Sequence, residues 1–158
     1  MAKLMWNQLK VSGEQKHYDV HLPKPLTVVT GSSSTGKSYL VTLLEREINA
    51  IHSSYSDEPP TEDGYVPYTD ILLVKNHGDY QDYREKIFKA ANKLIIVDNA
   101  DLIFPVIGVD AEFIRNSDNQ FLIFSRMGIS YGASPNAIGA LQERDNKIQL
   151  YFIWGTKP

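Results

Sequence analysis

The stretch Gly31-Ser32-Ser33-Ser34-Thr35-Gly36-Lys37-Ser38 fits the pattern G-x-x-x-x-G-K-[ST] at every fixed position. Consecutive backbone N–H groups can surround a polyphosphate only where no side chain blocks the approach. That favours glycine at the bend and at the helix entrance, the places of Gly31 and Gly36. Lys37 then opens a helix whose N-terminal dipole favours the same anion, with its ammonium in reach of the β- and γ-phosphates and the Ser38 hydroxyl offered to Mg²⁺. The candidate binding set is Gly31, Ser32, Ser33, Ser34, Thr35, Gly36, Lys37, Ser38 and Tyr39. Such a loop needs a strand before it and a helix after it. Leu26–Thr30 (LTVVT) is a short β-branched run opened by Pro23 and Pro25. Leu40, Leu44, Ile48 and Ile51 recur at helical spacing, widened by Val41 and Leu43, and predict a helix from Lys37 to about Ile51.

Ahead of the motif, Leu4–Val11 and His17–Leu22 flank the turn-forming Ser12-Gly13-Glu14-Gln15 and predict a β-hairpin leading into the motif strand. Tyr18, Val20 and Leu22 alternate with His17, Asp19 and His21. The two histidines lie on a polar strand face, read as a solvated edge and not as a metal pair. After the helix, residues 53–70 carry five acids, three prolines, a glycine and no Lys or Arg, which predicts a loop. Laid over a triphosphate, those acids would repel it, so a partner or regulatory role suits the loop better than phosphate contact.

Ile71–Val74 (ILLV) has the pattern of a strand buried on both faces. Tyr80, Tyr83, Ile87 and Ala91 predict a crossover helix, and Lys93–Asp98 (KLIIVD) an apolar strand ending in a carboxylate. In a parallel sheet that end faces the ligand, so Asp98 is a candidate Mg²⁺ residue together with Ser38. Asn99 follows directly; an amide orients water but cannot accept its proton, leaving Asp101 as an alternative base or a helix cap. The strand Phe121–Phe124 (FLIF) runs into Ser125, a candidate γ-phosphate sensor, and Arg126, a candidate for neutralising transition-state charge or an ordinary surface arginine. Ser134-Pro135-Asn136, followed by Ile138 and Leu141, predicts a short helix. Alternation over Ile148–Trp154 predicts a last strand.

Alternating strands and helices predict an α/β fold in three layers, with a mainly parallel sheet and an antiparallel addition from the N-terminal hairpin and last strand. The 158 residues are expected to form one domain, 1–158. A net charge of −3 gives no electrostatic case for nucleic acid or a membrane surface. The absence of cysteine excludes disulfides, thiolate metal sites and cysteine nucleophiles. No segment resembles a signal peptide or a membrane span, and the expected setting is the cytoplasm.

The order hairpin, strand, GSSSTGKS, helix, strand, helix, LIIVDNAD, FLIFSR is similar to the P-loop NTPase superfamily over roughly residues 1–126. The first motif resembles a Walker A loop and LIIVD a Walker B segment. The strand pair before the loop looks like ATP-binding-cassette ATPases, and the strand ending in Ser-Arg looks like AAA-type cores. The chain carries no LSGGQ-like signature, no NKxD motif to read guanine and no paired-arginine lid. The resemblance implies a small Mg-ATP-binding domain. Its expected function is that of a slow ATPase, activated by self-association or by a protein partner. The alternatives are a non-hydrolysing, ATP-dependent interaction module and, third, a small-molecule kinase.

Overall fold

Around the motif the chain forms strands β1 (Gln8–Ser12), β2 (His17–His21) and β3 (Leu26–Thr30) before it and helix α1 (Lys37–Ser53) after it. The structure, a computed structural model, describes residues 4–14, 16–30, 37–53, 63–75, 78–125, 137–145 and 147–154. A 3₁₀ turn (Tyr68–Asp70) leads into β4 (Ile71–Val74), followed by α2 (Tyr80–Lys89), β5 (Leu94–Val97), α3 (Ala100–Ile107), α4 (Ala111–Asn116), β6 (Gln120–Phe124), β7 (Ala137–Arg144) and β8 (Lys147–Trp154). The strands make one eight-stranded sheet in the order β1-β2-β8-β7-β3-β6-β5-β4. From β7 to β4 every pairing is parallel.

Sequence patterning builds the layers. Val29, Leu94, Ile96, Leu122 and Phe124 pack with Leu40, Val41, Leu43 and Leu44 of α1. The alternate residues Val28, Ile95, Val97, Phe121 and Ile123 pack with Ile87 of α2, Ile103, Phe104 and Ile107 of α3 and Ile114 of α4. The chain crosses from β3 to distant β4, then returns through β5 and β6. Right-handed crossovers travelling in opposite directions place their helices on opposite faces, as found. Burial of a large apolar side chain contributes about 1.5–3 kcal/mol, so these two clusters supply the main drive to fold. Among the described residues, no helix is long and apolar enough to cross a membrane.

The antiparallel hairpin is present, with Gln8 opposite His21 and Ser12 opposite His17. It does not adjoin β3, because β8 and β7 lie between. The short helix expected around Ile138 and Leu141 is instead β7; Ser134, Pro135 and Asn136 lie outside the described residues. The i, i+3 spacing that suggested a helix is overridden by pairing on both sides, parallel to β3 and antiparallel to β8. Asp145, at φ 54°, supplies the positive angle that a two-residue hairpin turn demands.

Three boundaries also differ from expectation. β1 starts at Gln8, not Leu4, because the amides of Met5 and Trp6 donate to Gln120 Oε1 (2.8 and 3.0 Å) while Gln120 Nε2 donates to Trp6 O (2.7 Å). α2 stops at Lys89, before Ala91, where Asn92 takes φ 59° and its amide bonds Asp118 O. Residues 63–70 are built into the fold, while 54–62 lie outside the described residues. Gly64 O accepts from Asn7 N and Gln8 N (2.9 and 3.0 Å), and Val66 N donates to Gln8 O (3.1 Å). At Gly64, φ is +87°, a backbone conformation that side-chain-bearing residues adopt only with strain, and a Cβ there would crowd the Asn7 side chain. The helices α3 and α4 carry no counterpart in the sequence reading. Pro105 within α3 masks its pattern, and Gly108 at φ 74° closes it.

The Gln120 side chain is fully buried and ties the N-terminal segment beneath β6. Gln120→Ala is expected to cost about 2–3 kcal/mol in urea unfolding, from hydrogen bonds worth roughly 1 kcal/mol each and the cavity left behind. Hydrogen exchange should show Met5 and Trp6 amides losing protection; unchanged protection would exclude this tether.

Candidate functional site

Parallel strands end on one edge, and the residue after each apolar run arrives there. Thr30 closes β3, Ser125 follows β6, Asp98 follows β5 and Lys75 follows β4. The six residues Gly31, Ser32, Ser33, Ser34, Thr35 and Gly36 lie outside the described residues, as does Arg126. They connect the end of β3 to the first residue of α1, the strand-then-helix setting that the motif requires.

Lys37 is buried, only 6% exposed, at the N-terminus of α1. A lysine is rarely that buried without a partner, and its charge acts on Asp98. Burial pushes the Asp98 carboxyl above the usual carboxylate range; the charge of Lys37, the Asn99 backbone N–H and the charge of Lys75 pull it back, while Asp101 adds to the rise. Asp98 N donates to Val74 O (2.8 Å), which fixes the strand end. The structure thus brings Lys37, Asp98, Asn99 and Asp101 into one electrostatic neighbourhood.

Asn99 stands at φ 52°, ψ 51° as the N-cap of α3, and its side chain makes no cap hydrogen bond. Left-handed backbone is uncommon outside glycine, although asparagine tolerates it, and such positions concentrate at functional sites. Asp101 lies in the first turn of α3, where a negative charge suits the helix dipole. Ser125 is fully buried, and its amide donates to Val29 O (2.9 Å), so it sits beside the end of β3. Ser38 is exposed on the first turn of α1, where its carbonyl accepts from Thr42 Oγ1 (2.9 Å). Tyr39 faces the hairpin: its ring lies 6.3 Å from that of Tyr18, and its hydroxyl crowds Gly13.

Two residues were missed by the sequence reading. Lys75 Nζ lies 2.5 Å from Glu45 Oε2 of α1. The hydrogen bond to Glu45 raises the Lys75 ammonium above its ordinary value, burial opposes this, and the charge of Glu45, Tyr83 and Asp98 add to the rise. The available signal was a lysine directly after ILLV, at the strand end that also supplies Asp98 from β5.

Among the described residues, no three or more His, Asp or Glu are grouped to hold a metal ion. Asp98 and the Ser38 hydroxyl are hard oxygen donors of the kind that Mg²⁺ takes alongside waters and phosphate oxygens. In comparisons with known proteins, no family model matches the chain and no curated protein matches it in sequence.

The raised Asp98 carboxyl has a sign. Its folded value lies above the unfolded one near 3.8, so the ionised form costs stability at neutral pH and costs nothing below about 3.8, where both states are protonated. In metal-free buffer, Asp98→Asn is expected to melt above the wild type at pH 7. Thermal scans should show that gap closing towards pH 3.5; a variant less stable at pH 7 would contradict the assignment.

Proposed function

We propose that the protein binds Mg-ATP at the C-terminal edge of its parallel sheet and hydrolyses it slowly, or faster when self-association or a partner completes the site. The observation that carries this reading is the placement of Lys37: the GSSSTGKS stretch joins buried β3 to α1, and the motif lysine is buried within electrostatic reach of Asp98. The fold that suits it is the three-layer P-loop arrangement, and the strand order supports the reading by separating β3 and β5 by a single strand.

In this mechanism the phosphates are assigned to the backbone N–H groups of residues 31–36 and the β- and γ-oxygens to Lys37. Asp98 and the Ser38 hydroxyl would hold Mg²⁺, which would supply charge neutralisation to the phosphates. Asn99 or Asp101 orients the attacking water, and Ser125 hydrogen-bonds the terminal phosphate. Arg126 follows Ser125 in sequence and is assigned the same end of the ligand.

A second reading, an ATP-dependent interaction module without turnover, is favoured by Asn99. An amide in that position accepts no proton, and Asp101 is held in a helix turn. Titration calorimetry with Mg-ATP and Mg-GTP, followed by phosphate release on the same sample, separates the two. Binding with release supports the ATPase, binding alone supports the module, and absence of binding refutes both. Lys37→Ala should weaken Mg-ATP binding at least about tenfold, the scale of a charge-assisted hydrogen bond, and abolish any turnover. Unchanged turnover would remove Lys37 from the chemistry.

A further inference from the structure

A second cation stands on the same edge, after β4, the edge strand three places from β3. Val74 of β4 is in register with Val97 of β5, so Lys75 and Asp98 succeed them on adjacent parallel strands, about 4.8 Å apart. The Lys75 ammonium meets Glu45 Oε2 at 2.5 Å, with both side chains more than a third exposed, at 37% and 38%. An exposed pair of this kind contributes little to stability. Its placement is more informative than its strength. Lysine carries a point charge with three donors on a flexible four-carbon stem, so the ammonium can swing from Glu45 to any anion bound beside Asp98.

The strand order limits which anion that is. Counting from β3, the sheet runs β6, β5, β4, so Lys75 lies beyond Asp98 on the side away from the motif. β3 and β5 are two strand spacings apart, about 9–10 Å. A polyphosphate anchored at the end of β3 can present only its distal end to the neighbourhood of Asp98 and Lys75.

We propose that Lys75 is a specificity-determining residue for the terminal phosphate, exchanging Glu45 for that phosphate when a nucleoside triphosphate binds. This rests on the nucleotide reading above and adds to it a discrimination between tri- and diphosphate. Without ligand, Glu45 neutralises a lysine that would otherwise stand as an uncompensated positive charge one strand from Asp98. With ligand, Glu45 becomes the competitor that the phosphate must displace, and its place on α1 couples the far end of the edge to the helix that starts at the phosphate motif.

The test is calorimetric titration of the full chain with Mg-ATP and with Mg-ADP, alongside thermal melts, for the wild type, Lys75→Met and Glu45→Gln. Lys75→Met is expected to weaken ATP binding about tenfold, the effect of losing one charge-assisted contact, while ADP binding stays within twofold. Glu45→Gln, which frees the ammonium, should tighten ATP severalfold and leave ADP unchanged, and Lys75→Arg should restore part of the ATP preference. Equal loss of ATP and ADP in Lys75→Met would overturn the role. So would unchanged affinities with matching drops in melting temperature, the result for a plain structural tether. If the wild type binds neither nucleotide, the functional reading fails and this role falls with it. Wild-type binding with an unaltered ATP-to-ADP ratio in Lys75→Met defeats the Lys75 role alone.

Discussion

A strand covered on both faces has no place for a charged side chain except at its ends, since an unpaired charge in the interior is far too costly. β3, β5 and β6 are strands of this kind, with α1 on one face and α2 and α3 on the other. The residues that follow the buried runs are accordingly the first to be polar: Ser125 after β6 and Asp98 after β5. Because the strands are parallel, these residues arrive at one edge. The packing requirement of the core thus assembles the candidate site without any contact made for the site's own sake.

Helix α1 ties that edge together. It begins at buried Lys37, beside the end of β3, and reaches the far strand where Glu45 meets Lys75. The sheet also curls about the helix: residues of β1 and β2, among them Leu9, Val11, Tyr18 and Val20, share its apolar cluster. Tyr68 donates to Lys10 O, and the segment from Gly64 to Val66 hydrogen-bonds Asn7 and Gln8, so the chain entering β4 is also bonded to β1 at the opposite sheet edge. Tyr39 is drawn to the hairpin by the same packing, through Tyr18 and Gly13.

The electrostatics of the edge follow from partial burial. Asp98 loses hydration, and Lys37, Lys75 and the Asn99 amide offset only part of the loss, so its carboxyl stays above the ordinary range. The left-handed backbone of Asn99 turns the chain from β5 into α3 within two residues and directs its backbone N–H at Asp98. Such a turn is strained for most residues, and asparagine bears it at lower cost than any β-branched side chain would.

Much of this was legible in the chain. Period-two and continuous apolar runs located β2 to β6 and β8, the helical stripe located α1, and the carboxylate after LIIV located Asp98, because each signal is local and set by which side chains must leave water. Three features were not legible. β7 was misread because Ile138 and Leu141 stand at the i, i+3 spacing of a helix, and pairing with two neighbouring strands overrode that spacing. Lys75 and Glu45 lie thirty residues apart, and only the return of β4 to the sheet edge brings them together. The order of strands, with β6 placed between β3 and β5 and the hairpin exiled beyond β8, is a long-range choice that no window of sequence contains. The sequence by itself determined most of the buried strands, the helices α1 and α2, and the polar residues that end those strands, but not β7, α3 or α4. The tertiary structure alone decided which of those ends meet, because closeness across a sheet depends on strand order and register, and these follow from packing the whole chain at once.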